Sequence, residues 1–177
     1  MDTTHKADSN PVLIRSAEPE DAARVAALLG QPGVFEGLLQ TPDAPNASRI
    51  EYHQKVEPHA CRLVAVAGEE IVGSAGLHVS PALRRMHVRS LGLCVATAWQ
   101  GRGVGRRLLE RALHWADNWA GVLRVELNVH ADNDRAIALY RAMGFVEEGR
   151  HKAYSLKNGQ YVDSLSMARM HPRPPSI

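Results

Sequence analysis

From Gly103 onward the apolar residues Val104, Leu108, Ala112, Ala116 and Trp119 recur at every third or fourth position, with Arg107, Glu110, Arg111 and Asp117 between them. That period lays one apolar stripe along a helix and predicts an amphipathic α-helix closed by Gly121. Before it the pattern shortens. Residues 12–17, 62–67, 71–79 and 86–95 are apolar runs bounded by Gly, Pro or charged residues, which reads as four strands. Gly68, Glu69 and Glu70 join the second and third as an antiparallel hairpin, and Gly92 is a candidate bulge in the fourth. Pro19 opens an Ala-rich helix with Val25, Leu28 and Leu29 that stops at Gly30. Ser48 followed by Glu51 reads as a capping box for a second short helix ending before Pro58. The stretch 31–47, with Pro32, Pro42 and Pro45, shows no period.

Beyond the long helix, residues 123–129 form a predicted strand, and Asp132 or Asn133 caps a helix bearing Ala136, Tyr140 and Met143 that ends at Gly144. Residues 150–156 and 161–169 flank Asn158-Gly159, a dipeptide suited to the positive φ angles of a tight hairpin turn. The order β-α-α-β-β-β-α-β-α-β-β predicts an α+β fold, a mixed sheet with helices on both faces. The chain's 177 residues suit one domain, expected over 11–170, with flexible polar or Pro-rich tails at 1–10 and 171–177.

Composition then narrows the partners. Twenty-one Lys and Arg against nineteen Asp and Glu leave a net charge of +2, too weak for bulk charge to imply nucleic acid or membrane. Cys61 and Cys94 lie in apolar segments with no paired spacing and no neighbouring His cluster, so neither a disulfide framework nor a metal site is indicated. The start of the chain lacks a signal peptide's apolar stretch, and no run approaches the roughly 18 apolar residues of a membrane span. A soluble, cytoplasmic protein is expected.

The candidate chemistry begins at Gln100-Gly101-Arg102-Gly103-Val104-Gly105, between a strand and the long helix. The first N–H groups of a helix have no internal partner and attract anions. Glycines at 101, 103 and 105 remove the Cβ atoms that would block a pyrophosphate, and Arg102, Arg106 and Arg107 add charge. No Gly-Lys-Ser/Thr ending makes this a P-loop, and the glycine spacing is not that of a dinucleotide fingerprint. Taken alone, the turn reads first as a flexible strand-to-helix connection with solvated arginines.

A second motif decides between these readings. Gln100-x-x-Gly103-x-Gly105, followed by Asn133-Asp134-Arg135-Ala136-Ile137-Ala138-Leu139-Tyr140 and Gly144-Phe145, resembles the paired signatures of the GNAT superfamily of N-acetyltransferases. The resemblance runs over residues 12–169. Within the superfamily, Gln31-Pro32-Gly33-Val34, residues 124–127 and 158–163, and Met167-Ala168-Arg169 resemble the bacterial YhhY-type L-amino acid N-acetyltransferases. The resemblance implies a central, mostly antiparallel sheet of about seven strands with a splayed pair in the middle and a homodimer formed through the late strands. It also implies acetyl-CoA as cosubstrate, and direct attack by a small primary amine in a ternary complex. A protein N-terminal or lysine acetyltransferase, or a non-catalytic acyl-CoA-binding module, are the alternatives.

Acetyl transfer from a thioester needs a neutral amine, donors for the tetrahedral oxyanion and a proton for the departing thiolate. By resemblance, backbone groups of Leu93, Cys94 and Val95 face the pantetheine and thioester, the turn with Arg106 holds the pyrophosphate, and Tyr140 is the acid, where packing is its other reading. Asn133 binds the cofactor or simply caps its helix. Asn128 stands where peptide N-terminal acetyltransferases carry a catalytic glutamate, and an amide takes no proton. Glu126, two residues earlier on the same strand face, is then either the base, directly or through a water, or a buried carboxylate paired with Arg124 or a backbone donor. His78, His87 and His130 are weaker base candidates, and Cys94 reads as a core thiol rather than a nucleophile.

Overall fold

A computed structural model describes residues 11–174, so the expected tail 1–10 and the last three residues of the expected tail 171–177 lie outside the described residues. The elements are β1 (Leu13–Ser16), α1 (Ala22–Leu29), α2 (Asn46–Gln54), β2 (Cys61–Ala67), β3 (Glu70–Val79), β4 (Val88–Val95), α3 (Val104–Asn118), β5 (Arg124–His130), α4 (Asp134–Ala142), β6 (Val146–Lys157) and β7 (Gln160–Met170). Their order is the one the apolar pattern predicts. The strands form one seven-stranded sheet in the order β1-β2-β3-β4-β5-β7-β6. Every neighbouring pair is antiparallel except β4 and β5, which run parallel.

Both faces of the sheet are covered because α1, α3 and α4 each have one apolar side. In α3 the buried residues are Val104, Leu108, Leu109, Ala112, Leu113 and Ala116, and they share a core with Leu77, Leu91, Val125 and Leu127 of the sheet and Ile137 and Tyr140 of α4. On the opposite face α1 supplies Val25 and Leu28 against Val64 and Ile71. Gly73 lets the start of α3 approach the sheet closely, since a Cβ there would lie 3.0 Å from Leu108 Cδ1 and 3.3 Å from Cys94 O. A 3-10 turn, Pro19–Asp21, precedes α1. Its Asp21 is buried and accepts hydrogen bonds from Arg15, Arg24 and the Glu18 N–H.

Two local expectations are corrected. Ser48 and Glu51 form no capping box: α2 begins earlier, at Asn46, because Pro45 already supplies the extended residue before it. Ser48 Oγ instead donates to Pro45 O, and Glu51 pairs with Lys55. Gly92 is no bulge either. The β3–β4 register runs without a shift through Gly76↔Gly92; register shifts lie instead between Ala65 and Val66 of β2 and within β6. The two glycines face an imidazole, since a Cβ on Gly76 would lie 2.5 Å from His78 Nε2 and one on Gly92 3.9 Å from it.

The feature that positions the site is the parting of the two central strands. Only Val88↔Arg124, Arg89↔Val125 and Ser90↔Glu126 pair, after which Leu91 to Val95 has no β5 partner. Beyond that point β5 stays with β7 as far as His130↔Ser164. The hairpin between β6 and β7 turns on Asn158 (φ 50) and Gly159 (φ 78), as its dipeptide predicts. His171, where the second tail was expected to begin, is tied down: its N–H donates to Leu123 O and its ring nitrogen Nε2 meets Asp117 O at 2.9 Å.

Candidate active site

The turn 100–105 is built for close approach. Gly101 and Gly103 adopt φ 76 and φ 79, a region that favours glycine, and a Cβ on either would meet nothing within 4 Å. Gly103 is the N-cap of α3, and the first helical bond runs from Arg107 N–H to Gly103 O. The amides of Val104, Gly105 and Arg106 therefore have no helical partner, and the positive end of a 15-residue helix dipole opens on the same space. Gly105 has a packing role, with Val95, Leu139 and Leu93 between 3.5 and 3.9 Å from its would-be Cβ.

The polar side chains of the turn divide their work. Gln100 is a brace: its Nε2 donates to Val95 O at 3.0 Å, and its Oε1 accepts from Arg135 at 2.7 Å, tying β4 to the first turn of α4. Arg102 stacks on Trp99 at 5.1 Å, and Arg107 is taken up by Val12 O. Arg106 borders the open space, loosely paired with Glu110 at 3.7 Å.

One cavity of about 1230 Å³ joins this turn to the gap between β4 and β5. Leu93, Cys94, Val95, Gln100, Gly101, Gly103, Val104, Gly105, Arg106, Asn133 and Tyr140 all line it, and Arg102 and Glu126 do not. Asn133 caps α4 through Oδ1, which accepts from Ala136 N–H, and ψ 65 keeps it outside the helix. Tyr140 is 7% exposed, packed against Phe145 at 5.7 Å. Burial, with the Cys94 thiol close by, pushes its hydroxyl up to about 12. Burial likewise pushes the Cys94 thiol up to about 12.

Glu126 does share a sheet face with Asn128, but both its oxygens are engaged. Arg85 donates to each at 2.7 and 2.8 Å, and Arg124 to one at 2.9 Å while also holding Glu148. Burial is the largest influence on this carboxyl and acts upward, yet the two arginines outweigh it and the net shift is downward. A carboxylate so held takes a proton poorly. Arg85, 41 residues away, carries no local signal of this contact. Asn128 Oδ1 accepts from Ser166 at 2.7 Å, which leaves its amide N–H groups as donors at the gap.

The three histidines part company. His87 lies outside the cavity lining, exposed. His130 is buried at the end of β5, with Nε2 on Ser155 Oγ and Nδ1 unpartnered. His78 lines the cavity from β3, its Nδ1 2.9 Å from Glu57 Oε2. Nearby, burial first and then Arg62 and His78 hold His53 down at about 4, so it is neutral at pH 7.

A helix start with free amides, opening beside a parted parallel strand pair, is what a diphosphate-bearing acyl donor needs. Residues 33–145 match the model of the Acetyltransferase (GNAT) family. The chain belongs to the GNAT family. It is 37% identical over 159 residues to the L-amino acid N-acetyltransferase AaaT of Escherichia coli, covering 90% of this chain and 98% of that one. It is 38% identical over 166 residues to the N-alpha-acetyltransferase RimI of Mycobacterium tuberculosis, covering 92% and 95%. Among solved structures, yncA of Salmonella typhimurium with its cofactor acetyl-CoA has the same fold, with a TM-score of 0.83 at 18% identity over 94% of this chain and 98% of the other. As a GNAT member the chain is an N-acyltransferase, and its seven-stranded mixed sheet with one parallel pair is the family's fold.

Proposed function

We propose that this GNAT enzyme transfers the acetyl group of acetyl-CoA to the amine of a free amino acid or similarly small primary amine, by direct attack in a ternary complex. The observation that carries the reading is a single cavity holding the free amides of α3, the opened edge of β4 and Tyr140. The turn 101–106 receives the pyrophosphate, with Gln100 and Arg135 fixing its shape and Arg106 adding charge. Backbone groups of Leu93, Cys94 and Val95, released from β5, face the pantetheine and the thioester oxygen.

In the transfer itself the amine nitrogen bonds the carbonyl carbon, the C–S bond breaks, Tyr140 gives its proton to the sulfur and the amine loses one. An exposed thiolate, with a thiol pKa near 8.5, would be a poor proton acceptor from a tyrosine at about 12. The environment that raises Tyr140 raises a thiol as well, since Cys94 in the same wall is also held at about 12. A thiolate shielded from water as Tyr140 is shielded is a stronger base than an exposed one, which favours the proton transfer.

For the acceptor, the lining charge disfavours a polycation. Arg49, Lys55, Arg62, Arg106, Arg111 and Arg135 line the cavity against Glu18, Asp21 and Glu57. Of those acids, Asp21 and Glu57 are already paired with arginines. A polyamine would find little free negative charge. The similarity to AaaT, named for L-amino acids, supports the same choice. The test is a thiol-release assay with acetyl-CoA over amino acids, polyamines, aminoglycosides and N-terminal peptides, with the product identified by mass spectrometry. An N-acetyl amino acid is expected; acetylation of peptides alone would move the acceptor to protein N-termini, and no turnover with any amine contradicts the proposal.

The same reading includes a cytoplasmic setting and a homodimer through the late strands. The sheet ends on β6, which with β7 exposes Val146, Leu156 and Tyr161, at 61%, 64% and 73%. Sedimentation of the purified chain should give a dimer's mass, and a monomer's mass would contradict this part.

A further inference from the structure

Glu126 is held by two arginines, Asn128 has no basic atom, and His130, the third residue on that face of β5, has Nε2 on Ser155 Oγ and a buried Nδ1 away from the point where the strands part, so β5 offers no accessible acceptor there. The opposite side of the gap supplies one. His78 stands on β3 in the row that crosses Ser90 of β4 to Glu126 of β5, next to the point where the strands part. Its ring leans along the sheet over Gly76 and Gly92, the glycines that leave room for it. Its Nδ1 lies 2.9 Å from Glu57 Oε2. Glu57 is itself anchored by the Val79 N–H at 2.9 Å and by Arg62 at 3.3 Å. Burial acts upward on the Glu57 carboxyl, but the bonds from His78, Val79 and Arg62 outweigh it, so it is ionised at neutral pH and takes a hydrogen bond from Nδ1. In the neutral imidazole a proton on Nδ1 leaves the lone pair on Nε2, the atom that lies over Gly76 and Gly92 on the cavity side.

We propose that His78 Nε2 is the general base that takes the proton from the attacking amine, and that Glu57 is its positioning residue. The inference rests on the proposed acetyl transfer. As the N–C bond forms, one amine proton passes to Nε2, giving an imidazolium whose Nδ1–H stays on the Glu57 carboxylate. The sulfur leaves with the proton of Tyr140, and solvent later returns a proton from His78 to the tyrosinate. The arrangement repeats on β3 the logic of an imidazole oriented by a carboxylate. The charged and titratable groups around the ring are Glu57 in the α2–β2 connection, Arg62 on β2, and His53 and Tyr52 on α2, whose ring lies 6.4 Å from that of His78. On β4 the residue paired with it, Ser90, is uncharged, and the neighbouring Arg89 is buried and acts on Glu57 through its charge.

The test compares the wild type with His78→Gln and Glu57→Gln in pH profiles of kcat/KM for the amine, beside acetyl-CoA affinity by calorimetry and the melting temperature. His78→Gln is expected to lower kcat by about 10²-fold or more, to leave acetyl-CoA affinity unchanged and to erase the limb on which activity rises as the imidazole deprotonates. Glu57→Gln keeps the base but removes the charge that stabilises imidazolium, so the limb should move to lower pH and the rate fall. Should His78→Gln fail to fold, the Glu57→Gln profile decides alone. Wild-type turnover with the limb unmoved in the folded variants overturns the role of His78 and leaves the acetyl transfer standing. Absence of wild-type turnover overturns the transfer and this step together.

Discussion

At the scale of single residues, the site works by what its neighbours do to each group. Tyr140 is buried without a cationic neighbour to stabilise a phenolate, so it stays protonated across the working pH range. Replacing it by Phe keeps the packing against Phe145 and removes only the proton. Tyr140→Phe should lower kcat by about 10²-fold while acetyl-CoA affinity, read by calorimetry, stays within about twofold. The same contrast explains Glu126. Its position on a strand facing Asn128 was readable from alternation, and pairing with Arg124 was one of its two readings. Arg85, however, reaches it from across the fold, and no local pattern announces that contact. Glu57 and His78, 21 residues apart, meet for the same kind of reason.

At the scale of elements, local signals held wherever the chain's own period or turn chemistry decides the outcome. The stripe of α3, the cap at Asn133 and the Asn158-Gly159 turn need no distant partner. The misreadings at Ser48 and Gly92 come from competing causes: Pro45 starts its helix early, and Gly92 accommodates an imidazole from the next strand. Asp21 is a further element-scale device, clamping the entry of α1 to β1 through Arg15 while Arg24 and the Glu18 N–H complete its shell. The Arg15 hydrogen bond leads in holding its carboxyl well below the usual carboxylate range, against the upward push of burial. A carboxyl whose folded pKa is depressed stabilises the fold above its unfolded value near 4, and that stabilisation fades as pH falls below it. Asp21→Asn should therefore cost about 2–3 kcal/mol at pH 7 in denaturant unfolding. The difference from wild type should shrink steadily between about pH 4 and pH 2.

At the scale of the whole molecule, the parting of β4 from β5 turns a closed sheet into a binding site. The cavity takes its donor end from the helix dipole at Gly103 and its acceptor end from β3, β5 and the α1–β2 region. On the proposed reading the sequence motifs mark the donor end because a phosphate seat is compact, a few amides and glycines in a row. The acceptor end is assembled from separated segments, and only the fold brings them together. Asn and Asp tolerate the left-handed φ of Gly103 better than other side chains and about equally, so comparing the two isolates the effect of charge in the open space. The decisive measurement is a calorimetric titration of acetyl-CoA into the wild type, Gly103→Asn and Gly103→Asp. The proposed pyrophosphate seat predicts measurable wild-type binding, weaker binding for Asn, and for Asp a further loss of about tenfold or more from charge repulsion, relieved as salt is raised. Equal affinity in all three proteins, or no binding to the wild type, would contradict it.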